Sequence, residues 1–310
     1  MRIGLMLGDA GPERGGLDSL IGQIQRAEAD GFDTAWLPQI FGIDAMTLLA
    51  LAGRQTSRIE LGTAVVPTFP RHPVAMAQQA LSTQAACGGR FTLGIGLSHQ
   101  IVIEGMFGLS FARPYTHMKE YMSVLGPLIR TGMVSFSGQE FRVNANLSVP
   151  DAKPCPILLA ALAPKMLALA GTEGDGTVTW MTGTATLRDH IVPSICEAAA
   201  KAGKPTPRVV AGLPIAVTDD VKAARDFAAN TFQVYGGLPS YRAMLDREGA
   251  QGPADVALVG DEDAVGEQIQ RIAELGATDF LAAIFPVGND AAGSISRTRA
   301  LLGKLRPKLA

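Results

Sequence analysis

The sequence predicts an α/β protein, a (β/α)8 barrel with insertions after its fourth and seventh strands. Three observations predict it. Eight short runs of apolar and β-branched residues alternate with segments whose apolar residues recur at helical spacing. Three of those runs, within residues 62–67, 91–99 and 156–164, give way to small and polar residues, at the end where parallel α/β folds place their sites. No linker or low-complexity stretch divides the 310 residues, so 1–310 reads as one domain with a large core.

Residues 2–7 (Arg-Ile-Gly-Leu-Met-Leu) form the first strand, an apolar run too short for a signal peptide. A glycine-rich loop covers 9–16. Leu17, Leu20, Ile21, Ile24 and Ala27 repeat at helical spacing, and that helix stops at Gly31. Residues 33–37 are the second strand. Asp44 is an N-cap for the second helix, which runs through Leu48, Leu49 and Leu51 to about residue 55. The third strand is 59–66, the third helix 73–86 and the fourth strand 91–95. The rhythm then breaks. Residues 100–150 hold one helix (115–129) and a hairpin turning near Ser137-Gly138, the kind of excursion with which barrels build binding sites. The fifth strand is 157–161, with a helix beginning over 165–170. The sixth strand is 176–180, followed by a helix within 187–202. Residues 208–217 form a long seventh strand, 218–277 a second irregular and helical section, 280–285 the eighth strand and 294–305 the closing helix.

Composition excludes several functions. Net charge is −2 and pI about 6.1, with no run of like charges, which points away from nucleic acid and anionic membranes. No apolar run of about 18 residues would cross a membrane. Cys87, Cys155 and Cys196 are odd in number, widely spaced and in apolar contexts, as expected of buried free thiols in a reducing, cytoplasmic compartment. No CxxC pair or His/Cys cluster predicts a metal site.

Gly94-Ile-Gly96 begins like a dinucleotide fingerprint, but position 99 is His and no first-strand placement or acidic partner follows, which argues against a Rossmann NAD site. Backbone N–H groups at strand-to-helix turns remain good anion donors. Two turns qualify: Gly96-Leu97-Ser98-His99, where Gly96 lets a backbone approach a ligand closely, and Ala160-Ala161-Leu162-Ala163-Pro164. Tight packing at a barrel rim is the alternative for the second. His99 can donate or accept a hydrogen bond at its strand end. His72 either touches ligand or bridges strand to helix, while His117 and His190 lie in helices as solvated or structural residues. Trp180 and Met181 either flank a flat ring or are core. Glu104 and Asp175 form no carboxylate pair, Gly96-Leu-Ser98-His99 lacks the closing glycine of a nucleophile elbow, and Lys165 reads as helical and exposed. Strand ends without an acid–base or nucleophile set fit an enzyme whose bound cofactor carries the chemistry.

Four motifs carry a resemblance: Gly62-Thr-Ala-Val-Val-Pro67 with Arg71-His-Pro73; Gly89-Arg-Phe-Thr-Leu-Gly-Ile-Gly96; Leu159-Ala-Ala-Leu-Ala-Pro164; and Gly174-Asp-Gly-Thr177. In order and separation the chain resembles the luciferase-like flavin and deazaflavin oxidoreductases over essentially its whole length, most of all the branch that uses coenzyme F420. The resemblance implies a (β/α)8 TIM barrel, a homodimer, and a deazaflavin ring at the carboxyl ends of the strands. It implies a bulge with a non-proline cis peptide, Ala64–Val65, behind the ring. It lays the phosphate tail along Leu97, Ser98 and His99 and along Ala160, Ala161, Leu162 and Ala163. Relatives often carry an acid or histidine after the second strand, where this chain has Pro38-Gln39, and some carry a carboxylate at the position of His99. Gln39 and His99 are therefore the catalytic candidates, Gln39 as a hydrogen-bond partner of the ring and His99 as proton donor. The implied activity is hydride transfer between the deazaflavin C5 and a small organic substrate. The substrate would be roofed by residues near 100–115 and 235–245, with Phe107, Phe111, Tyr115, Tyr235 and Tyr241 as aromatic surface. A reduced-FMN monooxygenase and a barrel that binds a flavin or other phosphorylated ligand without turnover are the alternatives.

Overall fold

The computed structural model describes residues 1–8 and 15–309. Eight parallel strands close into a ring: β1 (Arg2–Met6), β2 (Thr34–Leu37), β3 (Glu60–Thr63), β4 (Phe91–Gly96), β5 (Ile157–Leu159), β6 (Gly176–Trp180), β7 (Arg208–Val217) and β8 (Asp279–Ile284). β8 pairs with both β7 and β1, which closes the barrel. The fold is the (β/α)8 barrel that the alternation of strand and helix predicts. All but Gly15 and Gly16 of the glycine-rich loop expected over 9–16 lies outside the described residues.

Helices cover the outside and bury their apolar stripes against the strands. Leu17–Ala29 turns Leu20, Ile21, Ile24 and Ala27 inward. Ala45–Gly53 is capped by Asp44, whose carboxylate accepts the Thr47 N–H at 2.9 Å. Pro73–Ala86 is capped by His72, whose Nδ1 accepts the Val74 N–H at 3.3 Å. That bond makes His72 a link between the loop and the helix, and leaves its Nε2 as the remaining ring nitrogen.

Inside the barrel, Trp36, Leu158, Val178, Val210 and Leu281 form a second apolar cluster, separate from the one between strands and helices. Gly62 is glycine because a Cβ there would overlap the Trp36 ring. Polar groups fill the amino-terminal end of the barrel. Arg208 holds Asp279 through two bonds of 2.9 and 2.7 Å and reaches Glu60 at 2.6 Å, with its guanidinium 5.3 Å over Trp36. Arg2 bonds Glu60 at 2.7 Å, and the Thr92 hydroxyl donates to Glu60 at 2.7 Å. Five strands are tied together by this network.

Three details depart from the expected elements. The third strand is not continuous over 59–66: β3 stops at Thr63, and a separate two-residue strand, Val66–Pro67, continues the pairing with β4. β5 stops at Leu159, so Ala160 and Ala161 belong to the turn. The first insertion contains an additional helix, Gln100–Gly105, ahead of the helix Pro114–Thr131 and the hairpin Met133–Ser137/Arg142–Asn146. Six residues are too few to display a helical period. The second insertion contains the helices Val221–Thr231, Gln233–Gly237, Pro239–Glu248 and Glu262–Glu274, with a short strand, Leu258–Gly260, beside the end of β7.

Candidate active site

The carboxyl ends of β2, β3, β4 and β5 meet around one bulge. Gly62 pairs with Thr92 and Val66 with Ile95, so Thr63, Ala64 and Val65 face only Leu93 and Gly94. That is one extra residue on the β3 side. The Ala64–Val65 peptide bond is cis, as the resemblance implies. The Thr63 hydroxyl restores the interrupted ladder: it donates to the Gly94 carbonyl and accepts the Gly94 N–H, both at 2.8 Å. The Ala64 N–H donates to the Leu37 carbonyl at 2.8 Å, fixing the bulge to β2. Ala64 and Val65 rest on the interior cluster beside Met6.

Gly96 serves this bulge. A Cβ at 96 would lie 2.8 Å from Val65 Cγ2 and 3.1 Å from the Ala160 Cβ. The space that a side chain would need belongs to the protein itself, so packing, rather than the approach of a ligand, requires the glycine.

Two turns lie next to each other beyond it. The Ala160 N–H donates to the Ile95 carbonyl at 2.8 Å, which sets the β5 turn against the β4 turn. Ser98 has φ +61°, a left-handed conformation that a non-glycine residue adopts at a cost. Met181, just past β6, has φ +54°. Among the described residues, no protein acceptor takes the backbone N–H of Leu97, Ser98, His99, Ala161, Leu162 or Ala163. Ala163 is the N-cap of Pro164–Thr172, and its methyl cannot occupy the donors of that helix. The Leu162 carbonyl is fixed by His190 Nε2 at 2.7 Å, so His190 is a buried structural residue and not a solvated one.

Gln39 lies just past β2. Its Oε1 accepts the Ala45 N–H at 2.7 Å, and its backbone N–H reaches the Val65 carbonyl at 3.4 Å. The side-chain oxygen thus caps a helix, and the NH2 group is the donor that remains. Nearby, Arg71 pairs with Asp44, and the Tyr121 hydroxyl donates to the Arg71 carbonyl at 2.9 Å. Arg71 Nη1 is buried with no hydrogen-bond partner among the described residues. In the sequence Asp44 reads only as a cap, and nothing local marks the Arg71 side chain. Their ion pair joins two loops that sequence alone cannot bring together.

His99 heads the helix Gln100–Gly105, its carbonyl accepting the Val102 and Ile103 N–H groups at 2.9 Å. Its ring lies 5.5 Å from that of Tyr241, and burial lowers its pKa below the usual histidine value. Rings continue from there. Tyr241 meets Tyr235 at 5.2 Å, Tyr235 meets Trp180 at 6.0 Å, and Trp180 meets Phe232 at 6.0 Å. Phe232 reaches Phe285, just past β8, at 6.2 Å. Tyr235 and Tyr241 are therefore brought to the strand ends as expected. Phe111 and Tyr115 are not in that arc: Phe111 packs on Phe69 at 5.2 Å, and Tyr115 is exposed. Phe107 is also exposed and faces Phe41 at 6.4 Å.

His117 stacks on Phe69 at 3.9 Å and contacts the Thr68 hydroxyl at 3.1 Å. Burial lowers its pKa to about 4, so it is a neutral core residue. Glu104 accepts bonds from Gln100 and from the Phe111 N–H, and Asp175 accepts the Ile157 N–H at 2.8 Å. Both are structural.

A closed parallel barrel with a bulge and two donor-lined turns at its carboxyl end has the architecture of barrel enzymes, which build their sites at the strand ends. The chain belongs to the luciferase-like monooxygenase family, whose profile matches residues 1–292. It is 27% identical over 270 residues to an F420-dependent glucose-6-phosphate dehydrogenase of Intrasporangium calvum, covering 82% of this chain and 80% of that protein. In fold it is similar to the coenzyme F420-dependent tetrahydromethanopterin reductase of Methanopyrus kandleri (TM-score 0.81, 22% identity, 100% and 99% of the two chains). It is also similar to the FMN complex of a type II Baeyer–Villiger monooxygenase of Pseudomonas putida (TM-score 0.76, 18% identity, 100% and 98%).

Proposed function

We propose that this protein is a coenzyme F420-dependent oxidoreductase acting on a small organic substrate. The observation that carries the reading is the pair of adjacent turns, 97–99 and 161–163, whose backbone N–H groups have no acceptor among the described residues. Such donors suit a phosphate diester. Relatives whose names specify F420 support the choice of cofactor.

When bound, F420 supplies a carbon hydride donor or acceptor, C5. The rest is the work of the chain. Ala64 and Val65 back the ring from the bulge. The N–H groups of Leu97, Ser98, His99, Ala161, Leu162 and Ala163 hold the phosphate, with Gly96 and Ala160 keeping the two turns together. Gln39 donates its NH2 to the polar edge of the ring. His99, neutral at rest because burial lowers its pKa, would take up the proton released when the substrate is oxidised and, as imidazolium, donate it in the reverse direction. The protein is further proposed to work as a single-domain cytoplasmic homodimer.

FMN is the second reading, favoured by the fold it shares with the FMN-bound monooxygenase. Fluorescence titration of the purified protein with oxidised F420 and with FMN separates the two. Micromolar or tighter binding of F420 with weak FMN binding is expected, and preference for FMN moves the protein to the oxygenase reading. Unchanged F420 affinity in Ser98→Trp counts against the site.

A further inference from the structure

The helices of the second insertion close one side of the strand-end site with rings. Tyr235 and Tyr241 come from Gln233–Gly237 and Pro239–Glu248, and they bridge His99 at the end of β4 to Trp180 at the end of β6. These four side chains are half-buried. Successive rings meet nearly edge-on, at 87° for Tyr241 with Tyr235 and 74° for Tyr235 with Trp180, so the wall is stepped and offers ring faces and edges together.

The wall carries no charge at neutral pH. Burial raises the pKa of both phenols and lowers that of His99. The partly buried charges of the same helices are engaged elsewhere. Arg242 bonds Asp246, the Ala250 carbonyl and the Gln251 carbonyl, while Glu248 accepts the Ala185 and Thr186 N–H groups at 3.0 and 2.7 Å. These bonds also pin helix Pro239–Glu248 in place, so the wall is built and not incidental. A phosphorylated or carboxylated substrate brought against the rings would lose hydration with no cation of these two helices to meet it.

We propose that the substrate is an uncharged, flat ring compound, held between ring faces and ring edges of Trp180, Tyr235 and Tyr241. This rests on the oxidoreductase reading for its role in turnover but not for binding, which the wall provides by itself. It sets the protein apart from relatives whose names specify a sugar phosphate.

Coumarin, a neutral planar lactone, is the probe, and tryptophan fluorescence is the readout. Only Trp36 and Trp180 are present, and Trp36 is fully buried inside the barrel. Coumarin is expected to quench the protein saturably. The quench should disappear in Trp180→Phe, and the midpoint should rise at least about tenfold in Tyr241→Ala. Tyr241→Phe, which keeps the ring, should bind like the parent and guards against a folding defect in the alanine variant. Glucose 6-phosphate should neither quench nor compete. Competition by glucose 6-phosphate overturns the proposal, as does a midpoint unchanged in Tyr241→Ala. A quench lost in Phe107→Ala also overturns it, because it places the ring on the exposed Phe41–Phe107 surface. Coumarin binding without F420 binding refutes only the cofactor reading, and F420 binding without coumarin binding refutes only this one.

Discussion

Single atoms decide much of this site. One methyl at Gly96 would press on Val65 and Ala160, so Gly96→Ala should displace the bulge. We expect F420 affinity to fall by about tenfold or more and the melting temperature to drop. Gly105→Ala is the control, because a Cβ there meets nothing within 4 Å; it should raise stability by about 0.5–1 kcal/mol. His117 sets a pH dependence. Its folded pKa, about 4, lies below the unfolded value near 6.5, so the unfolded chain binds the extra proton between them. Stability from this group is complete above pH 6.5 and is lost as pH falls toward 4, in total on the order of 3 kcal/mol. Burial lowers the pKa of His99 as well, which adds a term of the same sign. Denaturant titrations at pH 7 and pH 4.5 should show the loss in the parent and a smaller one in His117→Phe, which keeps a ring stacked on Phe69.

Elements are held in register by side chains that bond to backbone. The hairpin after Pro114–Thr131 is fastened by Glu120, which accepts the Gln139, Glu140 and Phe141 N–H groups at 2.8, 2.8 and 3.1 Å. Burial raises the pKa of this carboxyl, but the three donors outweigh it and leave a net lowering. Glu120→Ala should unfasten the hairpin tip at a cost of about 1–3 kcal/mol. Limited proteolysis should then cut near Ser137-Gly138 faster than in the parent, with F420 affinity unchanged. The second insertion uses the same device, with Glu248 bonded to the start of the helix after β6.

Across the whole molecule, the two ends of the barrel have different duties. Among the described residues, the carboxyl end leaves donors without acceptors, while the amino end satisfies its charges internally. Asp279 is fully buried, and its pKa is lowered because the Arg208 bonds and charge outweigh desolvation. Arg208→Met would leave that carboxylate with Arg2, at 3.0 Å, and the Thr278 hydroxyl as its remaining partners among the described residues, and should cost about 1–3 kcal/mol. Adding Asp279→Leu should recover most of the loss, as read from urea midpoints, and cofactor affinity should not move in either variant.

The strand and helix alternation was legible because apolar spacing is a local property of the chain. So were Asp44 as a cap, the hairpin turn near Ser137, and the two small-residue turns at 97–99 and 160–163. A helix of six residues was not, since it is shorter than the pattern that would reveal it. What only the tertiary structure decided is who meets whom. Gly96 looks in sequence like a place for a ligand, yet Val65, some thirty positions earlier, claims its space. Arg71 finds Asp44, and Tyr241 finds His99, because barrel closure and a docked insertion bring distant segments together. By itself the sequence determined the barrel and the small-residue turns at the carboxyl ends of its strands, through residue spacing and chain chemistry. The charge state of His117 and the uncharged aromatic wall depend on burial, and burial exists only once the chain has closed on itself.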